Sequence, residues 1–289
     1  MSNNISGTLY LVATPIGNLS DISGRALKTL AEVDFIAAED TRVTRKLLEH
    51  YEIKKPLVSY YHHNSRSSGE KILSRIITGE NCALVTDAGT PGISDPGEKL
   101  VRLCADEDIR MVIIPGPCAA VSALALSGLS ADRFVFEGFL PVEKKLRSVR
   151  FDELKNEKRS MIFYEAPHKL MRTLRDMLKV FGNRNASVSR EMTKIYEETI
   201  RLPLSEIINI FIEKNPKGEF VIVIEGCRDD HEVDPEIILK TAADLTSLYM
   251  KAGMSVRDAV KKAADETGCS RNILYNSMIK MTDNSNENH

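Results

Sequence analysis

A strand pattern, a polar loop and a helix pattern follow one another about four times in the first 120 residues. Each apolar, strand-like run precedes apolar residues at helical spacing, and the runs lie at 8–13, 33–38, 57–61, 82–86 and 110–114. Parallel strands need crossovers of this kind, so the repeated unit predicts a parallel, doubly wound α/β sheet. Ligands bind outside the carboxyl ends of the strands in such sheets, and the loops there are the first candidates for a site.

A long polar loop follows the fourth of these runs, in the sequence CALVTDAGTPGISDPG from Cys82 to Gly97. Its glycines allow the backbone to approach a ligand closely, and its prolines stiffen the loop in advance. It has about eleven residues, whereas an ordinary turn between a strand and a helix has about two to six. We therefore favour a ligand-binding loop, which contains the carboxylates Asp87 and Asp95, over a long surface turn.

Two adjacent carboxylates, Glu39 and Asp40, follow the second run and precede Arg42 and Arg45. Charged groups clustered at a strand end can belong to a functional site. Asp40 is also a preferred residue type for the N-cap of the following helix. The residues support both interpretations equally, and the two can coexist.

Two other loops in this half have weaker signals. The loop after the first strand has one glycine, so it lacks the GxGxxG pattern, and it lacks a Walker lysine, which disfavours dinucleotide or ATP binding. His62 and His63 have no acidic or cysteine partner nearby. We expect a substrate-contacting or simply solvated loop there, and no metal site.

The strand-like runs in the second half of the chain look more antiparallel or mixed, and we predict a mixed sheet there. We place a domain boundary near residue 117, which gives an N-terminal α/β domain (1–117) and a second α/β domain (118–228). The remaining residues, 229–289, contain an acidic linker and three helical patterns. The last two patterns resemble a helix-turn-helix with Ser255 and Ser270 as N-caps, and a small helical cap is favoured over DNA binding.

Charge and cysteine content limit the function classes. The formal net charge of -2 argues against a protein that binds nucleic acid over most of its surface, but it allows a local basic patch. Five scattered cysteines without a CxxC motif favour a reducing cytoplasm over a disulfide framework or a zinc site. The sequence shows neither a signal-peptide pattern nor an apolar run of about 20 residues, so we expect a soluble cytoplasmic protein without membrane contact.

Eight motifs occur in this order along the chain: VATPIGNLSD, AAEDTR, DAGTPGISDPG, PGP, FEGFLP, YEAPHK, REMTKIYEE and GEFVIVIEG. Together they resemble the bacterial 16S ribosomal RNA (cytidine-2'-O)-methyltransferase family, within the tetrapyrrole-methylase superfamily of S-adenosylmethionine enzymes. The resemblance covers about residues 7–228, and the tail is similar to the family's small helix-turn-helix-like C-terminal piece.

The resemblance implies a two-domain α/β fold with a Rossmann-like parallel sheet, a homodimer, and a methyl donor bound in the interdomain cleft. It also implies 16S rRNA or the small ribosomal subunit as the partner, with a cytidine 2'-hydroxyl at the decoding centre as the target. No metal is required, because the sulfonium donor is already activated and the reaction needs alignment and the removal of one proton.

We expect the donor to contact Gly- or Pro-interrupted loops and strand ends, namely Pro15, Gly17, Asp87, Ala88, Gly89, Thr90, Gly116, Ala166 and Gly218. The candidate proton acceptors are ionisable groups on strand-end loops, namely Glu39, Asp40, Glu191 and Lys194. A carboxylate is deprotonated at neutral pH without any special environment, whereas Lys194 would need a lowered pKa. The candidate RNA contacts are Arg42, Arg45, His63, His168 and Arg190.

Two alternatives remain open at this point. The first is a methyltransferase that acts on a tetrapyrrole or another small molecule. The Arg-rich loops and the basic segment 143–159 favour an RNA substrate over this alternative. The second is a non-catalytic RNA- or ribosome-binding protein. The Gly- and Asp-containing loop at 87–97 argues against this alternative, because it is typical of a ligand-binding site.

Overall fold

Two compact units make up the chain, Met1–Cys227 and Arg228–His289. The structure is a computed structural model that describes residues 6–62, 65–213, 216–227 and 235–286. The first unit contains two five-stranded sheets, and the second contains a small group of helices.

The first sheet is parallel throughout, as the repeated pattern predicts. Its strands are β1 (Leu9–Val12), β2 (Phe35–Ala38), β3 (Leu57–Ser59), β4 (Cys82–Val85) and β5 (Met111–Ile114). They lie in the order β3-β2-β4-β1-β5, and each neighbouring pair is parallel. The connecting helices are α1 (Gly24–Glu32), α2 (Thr41–His50), α3 (Ser65–Ile77) and α4 (Gly97–Asp106). Every residue of β2 and β4 is buried, because helices cover both faces of the sheet.

The second sheet is mixed, which confirms that prediction. Its strands are β6 (Phe134–Phe139), β7 (Ser160–Glu165), β8 (Asn185–Arg190), β9 (Glu198–Pro203) and β10 (Phe220–Ile224). In the order β6-β7-β10-β8-β9, only the β6–β7 pair is parallel. The helices of this part are α5 (Ala119–Ser127), α6 (Lys144–Leu154), α7 (Pro167–Phe181) and α8 (Leu204–Glu213).

The chain crosses from one sheet to the other between β5 and α5. The buried face of α5 presents Ala120 and Ala123, which pack with Ile162 and Val223 of the second sheet. A larger apolar cluster covers the other face of that sheet and includes Phe163 on β7 together with residues of α7 and α8. The expected boundary at residue 117 falls in this crossing and stays a prediction, since both sheets belong to one compact unit.

The described part of the C-terminal unit, residues 235–286, consists of three helices: α9 (Pro235–Lys251), α10 (Val256–Thr267) and α11 (Arg271–Asn286). Small buried residues such as Ala242 and Ala263 let these helices pack closely around Leu274. The Ser255 hydroxyl accepts a hydrogen bond from the Asp258 amide at 3.2 Å, which confirms the expected N-cap of α10. Residues 229–234 of the expected acidic linker lie outside the described residues. Among the helices that the structure describes, none combines the length and apolarity needed to cross a bilayer.

Candidate active site

A cavity of about 360 Å³ lies between the two sheets of the first unit. The first sheet contributes residues that follow the carboxyl ends of β1, β2, β4 and β5, and the second contributes residues from the ends of β6, β7, β8 and β10. This is the edge at which open α/β sheets bind ligands. The volume falls within the range of small-molecule sites, about 300–1,000 Å³.

Residues 86–96 connect β4 to α4 and are called the cavity loop from here on. The Asp95 carboxylate holds this loop closed, because it accepts hydrogen bonds from the backbone amides of Gly92 at 2.8 Å and Gly97 at 2.6 Å. Burial raises the pKa of this carboxyl, and the amide hydrogen bonds oppose that effect. Gly89 and Gly92 adopt φ values of 90° and 86°, in the region that glycine enters without strain.

Neighbouring strand ends also fix the cavity loop. The backbone groups of Thr14 and Gly89 exchange two hydrogen bonds, with N–O distances of 2.9 and 3.1 Å. The Thr14 hydroxyl donates to the Thr86 carbonyl at 3.1 Å, and the Thr90 hydroxyl donates to the Pro117 carbonyl at 3.1 Å. The loop is therefore held in place by bonds within the chain before any ligand binds.

The adjacent carboxylates after β2 have different roles. Glu39 lines the cavity, and its Oε2 accepts a hydrogen bond from the Thr86 hydroxyl at 2.7 Å. Asp40 instead caps α2 by accepting the Arg42 amide at 2.8 Å, and it pairs with the Arg42 guanidinium at 2.6 Å. Hydrogen bonding to Arg42 lowers the pKa of Asp40 to about 2. The N-cap interpretation therefore holds for Asp40, whereas a functional role stays a prediction for Glu39, which lines the cavity.

Residues 191–197 connect β8 to β9 and are called the β8–β9 turn. Lys194 Nζ lies 3.0 Å from Glu191 Oε1 and 3.1 Å from Glu219 Oε2. Burial acts to lower the pKa of Lys194, but hydrogen bonds to Glu191 and Glu219 outweigh it and raise that pKa. A neutral lysine base would need the opposite shift, so Lys194 acts here as a cation that holds two carboxylates.

Three of the glycines expected to contact the donor have a packing role in the structure. A Cβ atom at Gly17 would lie 2.6 Å from Lys194 Cγ, and one at Gly116 would lie 3.0 Å from Ala13 Cβ. A Cβ atom at Gly218 would lie 2.5 Å from Glu191 Oε1. These positions need glycine because other parts of the protein approach the backbone closely, and none of the three lines the cavity.

The cavity brings together some of the expected site residues and leaves others out. Of the expected donor contacts, the structure places four on the cavity wall: Ala88, Gly89, Thr90 and Ala166. Those that do not line it are Pro15, Gly17, Asp87, Gly116 and Gly218. Glu39 is the one candidate proton acceptor on the wall, whereas Asp40, Glu191 and Lys194 lie off it.

The expected RNA contacts all lie off the cavity wall where they are described, at Arg42, Arg45, His168 and Arg190. Arg42 and Arg45 project from the exposed side of α2. Arg190 is partly buried, and its Nη2 lies 3.2 Å from Glu198 Oε2. His63 falls outside the described residues.

An aromatic and apolar wall of the cavity was not foreseen from the sequence. Phe139, Tyr164 and Met192 supply it, and burial raises the pKa of the Tyr164 phenol to about 12. The Tyr164 oxygen accepts a hydrogen bond from the Ala120 amide at 3.2 Å, which ties β7 to the start of α5. The sequence did contain a clue to these three residues, since they lie in the motifs FEGFLP, YEAPHK and REMTKIYEE, at or just after predicted strand ends.

A family model described as Tetrapyrrole (Corrin/Porphyrin) Methylases matches residues 8–208. The chain belongs to this family. Curated relatives of this methylase include a protein of Halalkalibacterium halodurans, 46% identical over 273 residues that span 93% of this chain and 94% of the relative. A second, from Bacillus subtilis, is 46% identical over 272 residues that span 93% of each chain. Both are called ribosomal RNA small subunit methyltransferase I.

Solved structures share the methylase fold at lower identity. One is the methyltransferase CobJ, with a TM-score of 0.58, 16% identity, and coverage of 77% of this chain and 95% of that one. Another is uroporphyrin-III C-methyltransferase from Thermus thermophilus complexed with S-adenosyl homocysteine, with a TM-score of 0.53 and 17% identity. It covers 75% of this chain and 97% of its own. These likenesses confirm the two-sheet fold expected for a methylase.

Proposed function

We propose that this methylase transfers a methyl group from S-adenosylmethionine to the 2'-oxygen of a cytidine ribose in 16S rRNA, at the decoding centre. The small-subunit rRNA methyltransferase name of relatives that match almost the whole chain supports an rRNA substrate. The cytidine, its 2'-oxygen and the decoding centre come from the motif resemblance. Activity on rRNA also agrees with the expected cytoplasmic location.

The charge of the cavity wall is the observation that carries the choice of methyl donor in this proposal. Glu39, Asp95, Glu165 and Glu219 line the cavity, and none of the described lining residues is Lys, Arg or His. An acidic, partly apolar cavity attracts a cation and disfavours a phosphate-bearing ligand. A sulfonium donor with an adenine ring suits this lining, because its described residues include acidic but no basic side chains and because Phe139 and Tyr164 offer apolar surface.

The residues of the chain supply alignment and a place for one proton. When bound, S-adenosylmethionine supplies an electrophilic methyl group that needs no metal. The described residues include no group of three or more His, Cys, Asp or Glu side chains suited to hold one. Glu39, oriented by the Thr86 hydroxyl, is the carboxylate of the candidate set that reaches the cavity, and we assign it the proton of the ribose hydroxyl.

The basic groups lie outside the cavity, where an RNA backbone can reach them. Arg42 and Arg45 follow Glu39 on α2, and their side chains are exposed. Phosphate contacts of this kind position an RNA without reading its sequence. The arrangement supports a division of roles, with the donor inside the cavity and the RNA backbone held at its rim.

We further propose that the enzyme is a homodimer, as the resemblance implies. Helix α5 is mostly apolar, and its outward face leaves Val121 and Leu126 exposed beside Ser122. Large apolar residues exposed together mark interaction sites, so a second copy is the occupant that we assign to this face. Light scattering of the purified protein tests this assignment, and a mass of one chain would contradict it.

Mass spectrometry of 16S rRNA from a strain that lacks this protein tests the reaction itself. We expect the loss of one ribose methyl group on a cytidine, restored by the wild-type chain. In single-turnover assays with unmethylated small subunits, Glu39→Gln should be slower by about a hundredfold, the usual contribution of a positioned base. Donor binding, measured by calorimetry, should persist in that variant.

Glu32→Gln is the matched control, since Glu32 is an exposed carboxylate on α1 and lies off the cavity wall. It should methylate at the wild-type rate. An unchanged rate in Glu39→Gln would assign the proton to solvent or to the RNA. An rRNA that keeps all its methyl groups in the deletion strain would refute the rRNA substrate and favour a small-molecule methyltransferase or a non-catalytic protein.

A further inference from the structure

The β8–β9 turn consists of two successive tight turns. The Lys194 amide donates to the Glu191 carbonyl at 3.0 Å, and the Glu197 amide donates to the Lys194 carbonyl at 3.1 Å. The Glu197 carboxylate also accepts the Thr193 amide at 2.8 Å. Ile195 and Tyr196 are therefore the two central residues of a hydrogen-bonded turn.

Large apolar residues are unusual at these two positions. Central turn residues are mostly Gly, Pro, Asn, Asp or Ser, each of which favours the turn for a physical reason. Ile195 and Tyr196 offer no such advantage, and they are 95% and 75% exposed. A residue choice that breaks a local rule without a compensating contact inside the protein points to a contact outside it.

Two of the five non-glycine residues with positive φ in the described chain fall within these seven residues. Glu191 and Thr193 have φ values of 50° and 67°, although neither is glycine and Thr193 is β-branched. The buried Thr193 Oγ1 has no hydrogen-bond partner within the described part of the chain. Strain of this kind persists only where the surroundings fix it, and it is found at ligand clamps and active sites.

Neighbouring segments hold the turn in this shape. Gly17 and Gly218 leave room for the side chains of Lys194 and Glu191, which a Cβ atom at either glycine would meet at less than 3 Å. The Glu191 amide donates to the Glu219 carbonyl at 3.1 Å, and the Glu219 amide donates to Glu191 Oε1 at 3.0 Å. The turn is thus a rigid projection that presents its two apolar side chains to the outside.

The base of this projection is part of the cavity wall. Met192 lines the cavity and lies three residues before Ile195. Glu219 also lines the cavity, and its carbonyl accepts the hydrogen bond from the Glu191 amide. Whatever binds Ile195 and Tyr196 is therefore held close to the ligand in the cavity.

We propose that Ile195 and Tyr196 form a stacking platform for an unpaired base of the RNA, next to the nucleotide whose ribose enters the cavity. This inference rests on the proposed function and adds a substrate contact to it. Proteins that recognise RNA bind bases that have left the helix, and they stack them on exposed aromatic rings. Stacking on an aromatic side chain does not depend on the sequence of the RNA and is not ionic.

Steady-state methylation of unmethylated small ribosomal subunits tests the platform. Tyr196→Ala should raise KM for the subunit by about tenfold, in line with the loss of one stacked base. Tyr196→Phe keeps the ring and should restore the wild-type KM. Calorimetry with S-adenosylmethionine should give the wild-type affinity in both variants, because Tyr196 is not among the residues that line the cavity.

Ile195→Ala should raise KM by a smaller factor, and Ile212→Ala is its matched control. Ile212 is 59% exposed on α8, whose buried residues pack in the cluster on the opposite face of the second sheet. The salt dependence of subunit binding should stay unchanged in Tyr196→Ala, since no phosphate contact is lost.

Three results would overturn the inference, and each has a distinct meaning. A wild-type KM in Tyr196→Ala, with methylation intact, would remove the platform but leave the proposed function standing. A halved mass of Tyr196→Ala in light scattering would show that these residues contact a second copy of the chain instead. No transfer by the wild-type enzyme to unmethylated subunits would refute the proposed function and the platform together.

Discussion

The cavity loop and the β8–β9 turn both change the chain direction beside one cavity, but they do so with different residues. The cavity loop has three positive φ values, and two of them are at glycines, Gly89 and Gly92. The β8–β9 turn has two, and both are at side-chain-bearing residues, Glu191 and Thr193. Asp95 satisfies backbone amides within the first region, whereas the second leaves a buried hydroxyl without a partner in the described chain.

This difference separates a region that is stable by itself from one that is shaped for a partner. Glycine reaches positive φ without strain, and a carboxylate that accepts several amides replaces the water that they lose on burial. The cavity loop therefore needs no ligand to keep its shape. The strained turn, with its exposed apolar tip, costs free energy in the free protein, and binding of a partner is the compensation that the structure suggests.

The largest expected effect comes from filling the wall of the cavity. A Cβ atom at Gly89 would lie 3.4 Å from Ile16 and 3.6 Å from the Pro117 carbonyl, so the branched side chain of Gly89→Val would occupy donor space. We expect donor affinity to fall at least about tenfold, or roughly 1.4 kcal/mol, as measured by calorimetry.

Gly92→Val is the matched control for that variant. Its φ is nearly the same, and a Cβ atom there meets nothing within 4 Å. Both variants should lose about 1–3 kcal/mol of stability from backbone strain, but only Gly89→Val should weaken donor binding. Equal donor affinities in the two variants would place the donor away from the cavity loop.

The next expected effect is a small gain in stability, whereas the glycine variants lose stability. Thr193→Gly relieves the strained φ of 67°, and we expect thermal unfolding to show a stability gain of up to about 1 kcal/mol. Thr193→Ala removes the same hydroxyl but keeps a Cβ atom, so it should gain less. If Thr193→Gly is the less stable of the two, the turn is not strained in the way that its backbone angles indicate.

The sequence predicts the strands and helices of the first sheet well, because a buried parallel strand and an amphipathic helix have distinct periods. It also locates the cavity loop, whose glycines and carboxylates are local features. The sequence did not indicate strand β9, because β9 is an edge strand without a fully buried residue, and ETIRLP lacks the continuous apolar run of the other strands. The sequence therefore predicts the mixed character of the second sheet but not all of its members.

The roles of individual site residues depend on contacts between distant segments. Glu39 and Asp40 are adjacent in the sequence, and only the fold shows that the first reaches the cavity while the second caps α2. Gly17 was expected at the donor because it follows a strand. The structure gives another reason for glycine at this position: the side chain of Lys194, which is remote in the sequence, occupies the space that a Cβ atom would need.

The smallest expected effect is a difference in how the two regions respond to acid. Burial raises the pKa of Asp95. Burial also acts to raise the pKa of Glu191, but hydrogen bonds from Lys194 and the Glu219 amide outweigh it and hold that pKa below its ordinary value. A raised carboxyl pKa adds stability that is fully present below the unfolded-state pKa and is lost as the pH rises through the folded-state pKa. A lowered carboxyl pKa adds stability that is fully present above the unfolded-state pKa and is lost as the pH falls through the folded-state pKa.

The two responses can be separated by urea unfolding from about pH 7 to well below the unfolded carboxyl pKa, near 4, because the Asp95 response lies above that pKa and the Glu191 response lies below it. The stability advantage of the wild type over Glu191→Gln should shrink as the pH falls, because Glu191 becomes protonated and its pairing with Lys194 is lost. The difference between the wild type and Asp95→Asn should instead shift towards the wild type, since protonation relieves the cost of the buried Asp95 charge. Differences that move in the same direction would contradict the contrast between a self-sufficient cavity loop and a turn held by an ion pair.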